Sequence, residues 1–143
     1  MSTTESNSGA DSGSDAGPDS TDADVQRATE QLSDVDDEAL QTWRSLRGFQ
    51  RDCLTDLARL EQLNSEKLHG LKIKDLLEAT GGEDVQHGRL YPNLDELVDM
   101  GLVWKKQYDR RTNQYGLTGV GWAVLRAGKA LTDAALGHQP ASE

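Results

Sequence analysis

The sequence predicts a mainly α-helical fold with one small β-hairpin, and three observations carry that prediction. Apolar side chains recur at three- and four-residue steps in four segments between Asp36 and Ala135, the spacing that gathers them on one face of a helix. One stretch alone, "LVWKKQYDRRTNQYGL" at residues 102–117, has β-branched and aromatic residues on both sides of a polar turn cluster. Ahead of all these, nothing before Val25 is a branched aliphatic or an aromatic residue.

That leading stretch cannot bury enough apolar surface to offset the entropy of ordering it, so residues 1–35 are expected as a disordered acidic tail. Charge agrees. Residues 1–42 hold 11 acidic residues and one basic (Arg27), whereas residues 43–143 hold 14 of each. The formal net charge of −10 therefore belongs to the tail, and the rest of the chain is electrically balanced. A tail of this kind keeps a protein soluble, or else screens a basic surface of its own chain.

From Asp36 a helical period sets in. Leu46, Phe49, Cys53, Leu57 and Leu60 form one stripe, Trp43, Leu54 and Ala58 a second apolar edge, and Arg44, Arg47, Arg51 and Asp52 lie off both. Read as one helix, this element packs on more than one neighbour, another subunit included. "GLKIKDLLEATGG" follows as a short helix with Ile73, Leu76 and Leu77 inward and Gly81-Gly82 at its end. Leu90, Leu94, Leu97 and Val98 make the stripe of a third helix, closed by Gly101. Pro92 is tolerated only near that helix's beginning, so the helix starts close to Gly88. After the hairpin, Thr118 caps a last helix whose stripe is Val120, Val124, Ala127, Leu131 and Ala135. Trp122 and Leu125 point elsewhere and give it a second face, suited to dimerisation; the plainer alternative is a half-exposed Trp on a monomer. Residues 137–143 are expected to be disordered.

Helix, helix, tight connection, helix, β-hairpin, helix is the order of a winged helix-turn-helix. The expected domain spans residues 36–136, with its N-terminal and C-terminal helices forming a dimer interface. In such a fold the third helix enters a major groove of DNA and the hairpin reaches the flanking backbone.

Other classes fit poorly. No apolar run approaches the roughly 18 residues of a membrane helix, and the N-terminus lacks the apolar segment of a secretory signal, so a cytoplasmic protein is expected. The one cysteine, Cys53, allows no intramolecular disulfide and no cysteine metal cluster; a small core residue is the expectation, a redox sensor the alternative. His69, His87 and His138 share no spacing with carboxylates that would build a metal site or a triad, and no glycine-rich phosphate loop precedes a helix. Neither a cofactor nor an enzymatic activity is expected.

The third helix and the hairpin carry the functional signal. His87, Arg89 and Asn93 lie on the polar side of the helix start. Arg is the usual partner of guanine O6/N7 and Asn of adenine N6/N7. Arg89 and Asn93 are four residues apart and share an edge, while Glu96 and Asp99 lie towards the far end. Lys105, Lys106, Arg110 and Arg111 gather about the hairpin tip with Asp109 as the one acid, a patch suited to phosphates. Lys72 and Lys74 on the preceding helix are further candidates for backbone contacts.

Residues 70–121 also resemble the PadR-like family of winged-helix transcriptional regulators. The likeness runs through "GLKI" (Gly70–Ile73), then Val85, Gly88, Leu90-Tyr91-Pro92, Leu94, Leu97 and Gly101-Leu102-Val103, and ends with Arg111, Tyr115, Leu117, Thr118 and Gly121. The resemblance implies a homodimer on a pseudo-palindromic double-stranded operator, the C-terminal helix in the dimer interface, and Tyr91 near the DNA or under the wing. It also implies that a small-molecule or stress signal acts at the dimer. The segment after Thr118 leaves little room for a separate sensor domain. Trp43, Trp104 and Trp122 would line an inter-subunit pocket, or else serve ordinary packing. Arg89 departs from the family, which commonly has a small hydroxyl residue there, so a base or phosphate contact by Arg89 is this chain's own feature.

An acidic protein that binds DNA fits a very salty cytoplasm. Asp supplies 16 of the 25 acids and Lys only 6 of the 15 cations, a haloarchaeal balance. At about 1 M salt the Debye length is about 3 Å, so long-range repulsion is screened and short-range contacts decide binding. The rival reading is a winged helix that contacts another protein instead of DNA.

Overall fold

The computed structural model describes residues 20–63, 70–81 and 85–137. The chain divides into two units, Met1–Asp34 and Val35–Glu143. In the first, Ser20–Glu30 forms helix α1. This corrects the expectation of disorder for those residues. Local terms are on its side: Asp22 sits in the first turn and Arg27 in the last, favourable against the helix dipole. Arg27 also pairs with Asp24, and the Thr29 hydroxyl donates to the Val25 carbonyl at 2.8 Å. The rest of the expected tail before Ser20, and the C-terminus beyond Gly137, lie outside the described residues.

The second unit is a winged helix. Its elements are α2 (Asp37–Ser45), α3 (Gly48–Gln62), α4 (Gly70–Gly81), α5 (His87–Asp99), β1 (Val103–Asp109), β2 (Thr112–Leu117) and α6 (Gly119–Leu136). The single helix expected from Asp36 is two, because Leu46 (ψ 141°) and Arg47 (ψ 157°) are extended. Asp36 caps α2 by accepting from the Glu38 amide. At the new start of α3, Gln50 Oε1 accepts from the Arg47 amide at 3.1 Å. Arg51 closes the elbow by donating twice to the Trp43 carbonyl while its guanidinium lies 4.6 Å from the Trp43 ring centre.

Helix α3 is the axis of the domain: α4, α5, α6 and β2 all pack on it. Its Cys53, Leu54 and Leu57 are fully buried, as are Ile73 of α4, Leu90, Leu94 and Leu97 of α5, and Val124 of α6. Five of the inward positions expected on α4 and α5 are thus in the core, with Leu76 and Val98 partly buried against it. Helix α5 ends in a Schellman turn: Gly101 takes φ +81°, its amide donates to Val98 and that of Leu102 to Leu97. Thr118 then ties this turn to α6. Its hydroxyl donates to the Gly101 carbonyl at 2.6 Å and accepts from the Gly121 amide, while its own amide donates to Leu102.

The last helix turns differently from its hydrophobic stripe. Gly121, Val124, Ala127 and Gly128 are buried, whereas Val120 is 59% exposed. Glycines decide the rotation: the Gly121 face abuts the Leu102 carbonyl and Gly128 abuts the Trp43 ring, with no room for a side chain at either. The α2–α6 contact is built on that Trp43–Gly128 approach.

Candidate nucleic-acid interface

Alternation along the hairpin sorts its cations by face. Val103 pairs with Leu117 and Lys105 with Tyr115 on the side packed against the body, where Val103, Tyr115 and Leu117 are buried. Lys105 is held there, donating to Asp95 of α5 at 3.0 Å, and that hydrogen bond pushes its ammonium pKa up. Burial likewise raises the pKa of Tyr115. The Leu117 amide donates to Glu61 of α3 at 2.6 Å, which pins the base of the wing. On the other side Trp104 covers Gly116 and Lys106 faces Gln114. The register shifts between Gln107 and Asp109, and Asp109 closes the turn by accepting from the Arg111 amide at 2.9 Å. Lys106, Arg110 and Arg111 are exposed.

Helix α5 presents its expected residues unequally. Arg89 is exposed, and its guanidinium lies over the Phe49 ring of α3, 4.0 Å from the centroid. Asn93 is half-buried and engaged at both ends of its amide: Nδ2 donates to the Arg89 carbonyl at 2.8 Å, and Oδ1 accepts from Arg47 at 2.9 Å. The same Arg47 nitrogen donates to Glu96 at 2.6 Å, and Gln50 donates to that carboxylate oxygen at 2.5 Å. Sequence spacing does not reveal Arg47 and Gln50 as partners of this face. Arg47 lies 46 residues from Asn93, as Gln50 does from Glu96, and Arg47 reads as a solvent-facing residue. Tyr91 is half-buried, its ring against Gly70 at the start of α4. His87 is the first residue of α5; its side chain, with His69 and His138, lies outside the described residues.

On α4, Lys72 is half-exposed, while Lys74 donates to Glu78 at 2.8 Å. Glu78 also accepts from the Val85 amide at 2.7 Å, holding the approach to α5. Cys53 is buried on α3, and its thiol is pushed up to about 12 by burial first and by Asp52 and Asp56 after it, with Arg89 opposing. The three tryptophans are apart in role: Trp43 lies on Gly128, Trp104 on Gly116, and Trp122 against the core. No described helix is long and apolar enough to cross a membrane.

The model of the transcriptional regulator PadR-like family matches residues 60–127. Among solved structures, a complex of hsRosR with S1 is 42% identical, covering 68% of this chain and 81% of that one, with a TM-score of 0.61. The chain belongs to the PadR-like family of transcriptional regulators. A complex of hsRosR with SG is likewise 42% identical, covering 68% of this chain and 82% of that one, at a TM-score of 0.62. H. salinarum RosR grown from NaBr is 44% identical over 70% of this chain and 83% of that one, at 0.55. A comparison with curated proteins gives no match. The PadR-like likeness read from residues 70–121 therefore stands.

Proposed function

We propose that this PadR-like regulator binds double-stranded DNA sequence-specifically in the cytoplasm, as a homodimer on a pseudo-palindromic operator. The observation that carries the proposal is the exposed Arg89 at the first turn of α5 in a winged helix whose hairpin tip exposes Lys106, Arg110 and Arg111. Arg89 has the fork of donors that suits guanine O6/N7 in a major groove. His87 begins the same turn and is assigned a role beside it.

The hairpin cations and Lys72 take phosphates, which fix register without reading sequence. Lys105 and Lys74 are tied to Asp95 and Glu78 and support the elements that carry the others. Tyr91 wedges α5 against α4, and Asn93 serves first as an internal bracket. Dimerisation falls to the N- and C-terminal helices of the domain, whose exposed Val120 and Leu136 give α6 apolar surface to cover. A small-molecule or stress signal is assigned to the dimer, as in the family.

Retardation of duplex DNA by the purified full chain at about 1 M KCl, where screening leaves only short-range contacts, tests this reading. Retention of a preferred duplex against a scrambled one is expected. Absence of retardation over the whole salt range would assign the fold to protein contacts instead.

A further inference from the structure

We infer that the N-terminal end of α3 sets the sequence preference of this protein without touching a base: Phe49 and Arg47 are positioning residues for the reading face of α5. The inference rests on the DNA-binding reading above and adds to it residues from a different helix. Two contacts define the device. The Phe49 ring supplies a platform 4.0 Å beneath the Arg89 guanidinium. One Arg47 nitrogen bridges Asn93 at 2.9 Å and Glu96 at 2.6 Å, on the turns of α5 that follow Arg89.

A free Arg side chain carries about 2 kcal/mol of rotamer entropy, most of which a bidentate base contact must freeze. Stacking on Phe49 restricts the guanidinium plane before DNA arrives. An attraction of this kind at an exposed site changes an equilibrium by about two- to five-fold. The bracket does a second job. Asn93 anchors the Arg89 carbonyl by its own amide, so Arg47 holds the backbone from which Arg89 projects. Glu96 is held as well, by Arg47 and by Gln50, which is 3% exposed. These two donors hold the Glu96 carboxylate against the start of α3, which fixes how α5 crosses it.

Arg47 itself has 62% side-chain exposure, so a direct phosphate contact is the competing role for it. The two roles differ in a measurable way. Removing a cation that touches phosphate lowers the steepness of log K against log salt by about 0.9, whatever the sequence. Removing a positioning residue leaves that slope alone and lowers only the ratio of specific to non-specific affinity. Lysine at position 47 separates them again, because it keeps the point charge but not the fork that reaches two acceptors.

The experiment selects a preferred duplex with the full wild-type chain from a pool randomised over roughly 20 base pairs, the span of two half-sites. Affinities for that duplex and a scrambled one are then measured against KCl for wild type, Phe49→Leu, Arg47→Ala, Arg47→Lys and the double variant Phe49→Leu/Arg89→Ala. The inference predicts that Phe49→Leu lowers the specificity ratio by about two- to five-fold. It also predicts no effect of Phe49→Leu once Arg89 is Ala, and an unchanged salt slope for Arg47→Ala without rescue by Arg47→Lys. Specific binding by wild type with an unaltered ratio in Phe49→Leu and Arg47→Ala would overturn the inference and leave the DNA-binding reading standing. A shallower slope in Arg47→Ala, restored by Lys, would overturn it in favour of a phosphate contact. Failure of the wild type to select any duplex would overturn both.

Discussion

Gly121→Ala tests the packing that sets the wing against the last helix. On helix propensity alone, Ala in place of Gly within α6 would stabilise the protein by about 0.5–1 kcal/mol. The structure reverses the sign. A methyl built on Gly121 lands on the Leu102 carbonyl oxygen, far inside contact distance, with the Leu102 carbonyl carbon at 3.1 Å and Leu117 Cδ2 at 3.3 Å. Leu102 is 1% exposed, and its carbonyl accepts the Thr118 amide, so neither partner has free space to move into. Overpacking of this kind costs about 1–3 kcal/mol. Set against the propensity gain at mid-range values, about 2 against about 0.75 kcal/mol, the net loss is about 1.25 kcal/mol, or about 5–10 °C in melting temperature for a domain of this size. Gly119→Ala is the control, because nothing lies within 4 Å of a methyl there. The assay is thermal unfolding followed by far-UV circular dichroism, at one salt and one protein concentration. A Gly121→Ala protein melting at or above wild type would refute the close approach of α6 to Leu102, and with it the rotation that exposes Val120.

Other outcomes follow from the same contacts. Leu97→Ala empties a fully buried position on α5 and should cost about 2–5 kcal/mol in urea unfolding. Cys53 should resist alkylation by iodoacetamide at pH 8 in the native protein and react once it is unfolded. Its folded pKa of about 12 lies above the ordinary value of 9.0, so its contribution to stability is full below pH 9 and falls as pH rises towards 12. A Cys53→Ala protein should lack that alkaline decline. Arg110→Ala and Arg111→Ala should weaken specific and scrambled duplexes alike and make the salt dependence shallower, as removal of phosphate-binding cations does. Wild-type affinity itself should depend weakly on salt, and a slope matching many released ions would contradict the short-range account.

What the sequence makes legible is the part governed by local periodicity and turn chemistry. Ile73, Leu77, Leu90, Leu94 and Leu97 read as inward and are buried, and the strand, turn and Thr118 cap are in the residues themselves. The break between α2 and α3 is not legible, because Trp43, Leu46, Phe49 and Cys53 continue a helical spacing straight across Leu46–Arg47. Only a long-range arrangement, with Trp43 seated on Gly128 and Arg51 on the Trp43 carbonyl, bends the chain there. Val120 reads as inward for a related reason. A hydrophobic stripe counts side chains, whereas α6 packs by its glycines, which leave no mark in such a count.

The candidate interface divides in the same way. Arg89 and the tip cations are legible as exposed polar residues on a face, and that is where they lie. The engagement of Asn93 and Glu96 by Arg47 and Gln50 depends on how α3 crosses α5, which no spacing within either helix specifies. Single-helix reasoning offers Asn93 to a base and gives no sign that its amide is bonded to Arg47 and to the Arg89 carbonyl.

Methylation interference at guanine N7 addresses the central claim most directly, since that atom faces the major groove and is the acceptor assigned to Arg89. On a duplex selected by the wild-type chain, premethylation of one guanine in each half-site should abolish wild-type binding, and Arg89→Ala should be indifferent to that methyl group. Equal sensitivity of both proteins at every guanine, or none in either, would show that Arg89 does not read the groove.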